Sequence, residues 1–552
     1  MKTSWFLLLL VSLLCCHAQA QQSNRSLKTQ LDSLFSAGIK DGAPGCTAAV
    51  IKDGRVIYKN AFGLANIEDR VPITGETVFD IASLSKQFTG LCISKLAGEG
   101  KIKVEEDIHT YLPELPDFGK KITVYNLIHH TSGIRDWPDA LETAGWHYSE
   151  LASYEDIMKM VQNQRSLDFA PGSLFSYSNT NYNLLAAIVA KVSGVSFRKY
   201  TDSVIFRPLG MQHSHFRDDV DEVFPHLANS YYENHGRYFY ITNVLTAYGS
   251  SSLFTSLDDM TKWMIYFDQA FTAHDPDYLR MTNEAKTTAG DSVNYGYGIE
   301  VRFQPGLPII SHGGSWAGYR TETMYFPRQH ISFVVLSNCN DDGLIDRTCG
   351  ALQKLFFAKE MDELAKKETV TKNDHKVPLQ VMRRDTGTYN WKPAQVIIAL
   401  KKDTLTFQFT GEPAYPLHAL NDSVFTVSQP GVFLTFHKGP DGKVNTFSFR
   451  SRDGKRNIPF KKPESSDYES YSGSYISTEL KTVYTVTWSG SELMIHHARR
   501  GDFKLTLDGP YTFTSDIGTI RFTKTQGRTT GFALSGDKAR NIRFIKTAAA
   551  LW

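Results

Sequence analysis

The order of three short strings constrains this 552-residue chain more than any other feature. They are Ser83-Leu84-Ser85-Lys86, Tyr177-Ser178-Asn179 and His312-Gly313-Gly314. None is distinctive alone: Ser-x-x-Lys recurs at Ser196 to Lys199 and at Ser535 to Lys538, and Tyr-x-Asn at Tyr232 to Asn234. As a set they supply a nucleophile, proton-transfer groups and a strand that can bind a substrate. A chain that unites them must wrap strands from both ends of a long segment around a helical insert.

The first string follows Thr77 to Ala82 and opens a helix read from Ser83 to Gly98. Residues i and i+3 share a helix face, so Lys86 is expected one turn above the Ser83 hydroxyl. Burial disfavours the ammonium and lowers its pKa, which lets the lysine take the serine proton. Backbone N–H groups at the start of the helix are free to stabilise an oxyanion. At the other two Ser-x-x-Lys strings the expectation is a helix-capping serine or a turn, with a solvated lysine.

The second string follows the turn Phe169 to Ser173 and precedes an apolar helix, Tyr182 to Val192. A phenol near an ammonium is expected to have a lowered pKa and to act as a general base. The Asn179 amide can accept from Lys86 and donate to a substrate carbonyl. The third string lies between two strand-like runs, Pro308 to Ser311 and Ser332 to Leu336. Its glycines allow close approach of a substrate backbone, and the Ser315 N–H is the expected second oxyanion donor. His312 has no second histidine at ligand spacing, so no metal is expected, and no other cofactor. His129 and His130 read as a structural corner ahead of Thr131-Ser132-Gly133, and Trp316, Tyr319 and Arg320 as packing residues. Arg347 reads as a solvated residue near a helix start.

The set resembles the serine β-lactamase and penicillin-binding-protein superfamily. Its Tyr-x-Asn resembles the class C-like branch, with D-alanyl-D-alanine carboxypeptidases, D-aminopeptidases and esterases. Leu127 to Gly133, Phe169 to Asn183, Tyr295 to Ile299 and His312 to Gly318 carry the same likeness, which covers roughly Leu27 to Lys367. The resemblance implies Ser83 as nucleophile, Lys86 and Tyr177 in proton transfer, and Asn179, His312, Gly313, Gly314 and Ser315 in substrate binding. It implies a hydrolase working through an acyl-enzyme on small amides or esters, D-amino-acid peptides of the peptidoglycan stem type first. An esterase or class C-like β-lactamase is the alternative, and a penicillin-binding sensor or wall-associated binding protein with little turnover is the alternative of another class. His312 stands where most β-lactamases of this branch carry lysine, and a neutral imidazole gives a substrate carboxylate no fixed charge. An E-x-x-L-N type deacylation string is not found.

Net charge is +2 without a basic stripe, which argues against a nucleic-acid partner. No apolar run after the N-terminus is long enough to span a membrane. Lys2, the apolar Trp5 to Cys16 and Ala18-Gln19-Ala20 have the pattern of a signal peptide over residues 1–20, which predicts a periplasmic or secreted protein. Four cysteines would then remain, Cys46, Cys92, Cys339 and Cys349. Cys339 and Cys349 are near enough in sequence to clip a strand end to a helix start; Cys46 and Cys92 read as free and buried.

The expected fold is mixed α and β: an antiparallel sheet flanked by helices and an all-helical lobe over residues 21–367, with the three strings meeting in the cleft between. A linker is expected over residues 368–376. Beyond it the apolar period becomes two, as in Leu405, Phe407 and Phe409 or Tyr484, Val486 and Trp488. Thr386 to Tyr389 echoes Ser472 to Tyr475, and Arg456 to Phe460 echoes Arg540 to Phe544. Two antiparallel barrel-like modules are therefore expected, over 377–464 and 465–552. No catalytic constellation is found in them, and their expected role is in stability, access or specificity.

Overall fold

Strands Cys46–Lys52 and Arg55–Phe62 form a hairpin. Its turn is Asp53-Gly54, with φ of 50° and 70°. Two successive positive φ values give a turn whose twist matches the strands, and Asp-Gly adopts it at little cost. The structure is a computed structural model that describes residues 27–304, 307–367, 377–391, 394–401, 404–409, 414–427, 433–438, 444–450, 468–509 and 511–547. The expected signal peptide, the expected linker and the Arg456-to-Phe460 part of the tail repeat lie outside them.

The hairpin belongs to a six-stranded antiparallel sheet, in the order Glu300–Gln304, Leu307–Trp316, Tyr319–Phe326, Ile331–Ser337, Cys46–Lys52, Arg55–Phe62. The two ends of the segment meet in one ladder, from Cys46 opposite Ser337 to Lys52 opposite Ile331. Side chains alternate across a strand. Ala49 and Ile51 thus join Val334 and Leu336 in the core that holds Phe88 and Leu91 of helix Lys86–Gly98. Cys46, Ala48 and Val50 join Phe333 and Val335 against Leu31 and Phe35 of the helix at 27–36, and against Leu344, Leu352 and Phe357 of helix Asp342–Lys367. Both faces of the sheet are covered, so its central strands read as unbroken apolar runs.

All four cysteines are free and buried, and the Cys339–Cys349 clip is not formed. Cys349 packs into the core beneath the sheet, whereas Cys339 forms a backbone bridge with Tyr231, the first residue of strand Tyr231–Asn234. Burial pushes the Cys46 thiol up to about 12 and the Cys339 thiol to about 11, which keeps both protonated.

The second lobe carries helices Val124–Ile128, Trp137–Thr143, Tyr154–Asn163, Asn179–Ser193 and Phe197–Thr201. Ser196 caps the last by accepting from Lys199 N, the helix-capping role expected of this second Ser-x-x-Lys string.

The period-two tail forms a seven-stranded meander from Gly387–Trp391 to Val444–Arg450 and a closed eight-stranded barrel from Gly473–Ser477 to Ile542–Lys546. The repeat read in sequence has a common physical device. Tyr389 Oη donates to Asp385 O at 2.9 Å, and Tyr475 Oη donates to Tyr471 O at 2.6 Å.

The barrel docks on the helical lobe through a buried knot. Arg135, fully buried, pairs with Glu479 of the barrel at 2.5 Å and donates to Arg540 O at 2.9 Å and Ser166 Oγ at 3.0 Å. Arg540 N reaches Asp168 Oδ1 at 2.9 Å, and Tyr484 Oη donates to Thr143 O at 3.0 Å.

Candidate active site

The turn that presents Ser83 is held from below. Asp80 is buried, and its Oδ1 accepts from Ala82 N at 2.8 Å. Ala82 sits at φ 49°, the left-handed region that is unusual for a residue with a Cβ. One turn of 3-10 helix, Ala82–Ser85, then runs into the α-helix from Lys86.

Lys86 Nζ has three partners: Ser83 Oγ at 3.1 Å, Asn179 Oδ1 at 2.8 Å and Ser250 O at 2.7 Å. The last two can only accept. They take two N–H bonds, so when the amine is neutral its lone pair faces the Ser83 O–H. Burial holds Lys86 well below the ordinary lysine range; Asp136 pulls it back up and Lys538 pushes it further down. A desolvated amine aimed at a hydroxyl can accept its proton.

Tyr177 departs from expectation. Its phenol is raised above its ordinary value by burial, which outweighs its hydrogen bond with Ser83. The nearby ammonium, 4.8 Å from the ring centroid, does not lower it. The group is therefore a neutral phenol that can donate, not a resident phenolate base. His130 packs behind its ring at 4.4 Å and accepts from Ser178 N at 3.1 Å through Nδ1.

Helix Asn179–Ser193 begins three residues earlier than the apolar pattern predicted, so Asn179 stands in its first turn. Its capping group comes from elsewhere. Asp136 Oδ1 accepts from Asn179 N at 2.7 Å, and Asp136 Oδ2 from Asn179 Nδ2 at 3.2 Å. A carboxylate at a helix N-terminus is favoured by the helix dipole. It also fixes the amide flip that turns Oδ1 toward Lys86. Burial lifts Asp136 to about 6, against the pull of Lys538 and Lys86.

His312, Gly313 and Gly314 lie on Leu307–Trp316, whose ladder with Glu300–Gln304 ends at Ser311. Gly314 runs against the Ser83 turn: a Cβ there would stand 2.2 Å from Ile81 O. Ser315 follows, exposed, opposite Arg320. His312 is turned inward. Its Nδ1 is 2.6 Å from Gly313 O, a pure acceptor, which sets the tautomer; Nε2 then accepts from Tyr295 Oη at 2.9 Å. Burial holds this imidazole at about 4, so it is neutral. Trp316 donates through Nε1 to Asn243 Oδ1, and Asn243 Nδ2 donates to Asp80 Oδ2, which ties the strand to the Ser83 turn.

His129 Nδ1 donates to Tyr295 O at 2.8 Å, and burial holds that ring near 4. Among the described residues, no group of three or more His, Cys, Asp or Glu side chains is placed to hold a metal ion. Tyr319 is buried in the packing role expected of it, and exposed Arg347 bonds Asp341 Oδ2 at 3.2 Å.

The sequence reading missed two residues. Asp136 follows the Leu127-to-Gly133 string but belongs to none of the three motifs. Lys538 belongs to the Ser-x-x-Lys string set aside as a turn. It is on a turn, but its Nζ lies 5.6 Å from the centre of the Tyr177 ring. Its main chain is pinned on both sides: N donates to Asp139 Oδ2 at 2.7 Å, and O accepts from Asp136 N at 2.9 Å.

Comparison with known proteins gives the family. The family described as Beta-lactamase matches residues 31–355, more than half of the chain, and the chain belongs to that family. A penicillin-binding protein of Bacillus subtilis (strain 168) is 26% identical over 76% of this chain and 95% of its own length. A D-aminopeptidase of Gluconobacter oxydans (strain 621H) is 29% identical over 57% of this chain; the match spans 59% of that relative's length. The octameric penicillin-binding protein homologue from Pyrococcus abyssi shares the fold, with a TM-score of 0.53 at 23% identity over 78% of this chain and 99% of that one.

Proposed function

We propose that this member of the β-lactamase family is an exported serine hydrolase that carries acyl groups on Ser83, and that its substrates are small D-amino-acid amides or esters, peptidoglycan stem peptides among them. The observation that carries the reading is Lys86 Nζ, 3.1 Å from Ser83 Oγ and locked between two pure acceptors. The D-aminopeptidase relatives support the choice of D-amino-acid substrates. The pattern of residues 1–20 supports export.

Ser83 Oγ attacks the substrate carbonyl as its proton passes to neutral Lys86. The new C–O bond places negative charge on the carbonyl oxygen, which the N–H groups of Ser83 and Ser315 stabilise. Collapse breaks the bond to the leaving group, and Tyr177 donates the proton that the departing atom needs. The proton on Lys86 then passes to the Tyr177 phenolate, against whose ring it stands, and both groups are neutral again. Water then repeats the sequence in reverse on the acyl-enzyme, releasing acid and restoring Ser83. Neutral, inward-turned His312 gives no charge to a substrate carboxylate, which favours peptidase or esterase chemistry over efficient β-lactamase activity.

The test is intact-mass spectrometry after treatment with a fluorophosphonate or a penicillin. An adduct mapped to Ser83, together with turnover of a D-alanyl peptide or p-nitrophenyl ester faster than nitrocefin, is the expected result. An adduct that persists in Ser83→Ala overturns it.

A further inference from the structure

The His312 imidazole leaves the third string without a cation, yet the cleft is not without one. Lys538 is carried in by the turn between the last two barrel strands, Arg528–Ser535 and Ile542–Lys546. Its ammonium stands over the same phenol as Lys86, at 5.6 Å where Lys86 is at 4.8 Å. The two lysines are not equivalent. Lys86 is fully buried and spends all its donors within the protein, whereas Lys538 is half-buried. The Lys538 backbone is clamped by Asp136 and Asp139, and the barrel beneath it is anchored by Arg135. The main chain that presents the side chain is therefore held without help from the ammonium.

Resting on the reading above, we propose that Lys538 is a specificity-determining residue: the barrel supplies the cation that recognises a carboxylate on the leaving group, and the substrate class is a D-amino-acid peptide with a free C-terminal carboxylate. Tyr177 protonates the leaving group in the proposed mechanism and Lys86 is committed to Ser83, so the proposal gives the second cation against that ring to the leaving group. An ammonium there matches a carboxylate and repels the amine of a positively charged leaving group. The competing role is structural: the charge balances Asp136 and Asp139, both lifted by burial.

The full chain and its Lys538→Met and Lys538→Arg variants separate the two roles. The substrates are an N-acyl-D-alanyl-D-alanine, its C-terminal amide, and a D-alanyl thioester pair whose leaving groups are thioglycolate and its methyl ester. We expect the wild type to prefer the carboxylate member of each pair. Lys538→Met should cut kcat/KM on the carboxylate members by roughly ten- to a hundredfold, mainly through KM, the size of one charge-assisted contact. At a pH above the Lys86 acid limb it should leave the uncharged members within about twofold, and Lys538→Arg should restore most of the loss. No preference in the wild type, or an equal fall on both members, overturns the proposal. If the wild type acylates Ser83 but cleaves neither peptide, the peptide reading fails, while the thioester pair still decides the role of Lys538.

Discussion

Ser83-x-x-Lys86 and Ser535-x-x-Lys538 are one string in two settings, and the setting decides what each lysine does. In the first, a 3-10 turn leading into a helix puts both side chains on one face, with Nζ 3.1 Å from Oγ. In the second, a tight turn separates them: Ser535 Oγ accepts from Asn541 N at 3.0 Å, and Gly536 N donates to Ala539 O at 2.9 Å. Its lysine goes to the Tyr177 ring instead. In the proposed mechanism one string builds a nucleophile with its base; the other brings a charge to the same phenol from a different part of the chain. A short motif carries chemistry only through the backbone that displays it.

Removing the members of each string should show the widest contrast. Ser83→Ala should abolish the covalent adduct, and Lys86→Met should slow acylation at least about a thousandfold, because the base that faces Ser83 is gone. Ser535→Ala should leave acylation within about twofold, since its hydroxyl serves only its own turn. Stopped-flow acylation by a small ester measures all three. A large effect of Ser535→Ala would break the comparison.

Much of this was legible. Repeating i, i+3 geometry put Lys86 beside Ser83, and the switch to a period of two announced the tail strands. What sequence did not yield is what depends on packing between distant segments. The Tyr177 phenol was expected to be lowered by its ammonium neighbour, but burial, which no local pattern reports, pushes it the other way. Cys339 and Cys349 are close in the chain yet face different surroundings. Asp136 caps a helix that begins at Asn179, and Lys538 enters from a barrel whose docking rests on Arg135, Glu479 and Asp168.

That docking sets the next effect in size. Arg135→Met leaves Glu479 and Asp168 buried without their guanidinium, at a cost of about 3–5 kcal/mol for an uncompensated buried charge. Burial lifts Asp168 to about 7 against the pull of Arg135, so part of that cost is relieved by proton uptake. The expected result is a lower unfolding midpoint in calorimetry together with easier proteolytic release of the barrel. Unchanged stability would show that the buried knot does not hold the barrel in place.

Asp136→Asn should act more locally. It weakens a charge-assisted clasp on Asn179 and so loosens the acceptor that orients Lys86. A fall of about tenfold in acylation rate is expected, with little change in the unfolding midpoint. A fall as large as that of Lys86→Met would move Asp136 from positioning into proton transfer itself.

The smallest effect is the most discriminating, because it has a sign. Acylation requires Lys86 neutral, so the rate rises with pH through the Lys86 pKa and is lost as pH falls below it. Burial sets that pKa well below the ordinary lysine value, and the two charged neighbours pull in opposite directions. The Asp136 carboxylate stabilises the ammonium, so Asp136→Asn should move the acid limb to lower pH. The Lys538 ammonium repels it, so Lys538→Met should move the same limb to higher pH. An uncharged ester as acyl donor keeps substrate recognition by Lys538 out of the profile. Opposite displacements would place both groups in the field of Lys86; a common direction, or none, would mean that the second lysine does not reach the first electrostatically, and that its contact with the Tyr177 ring is packing alone.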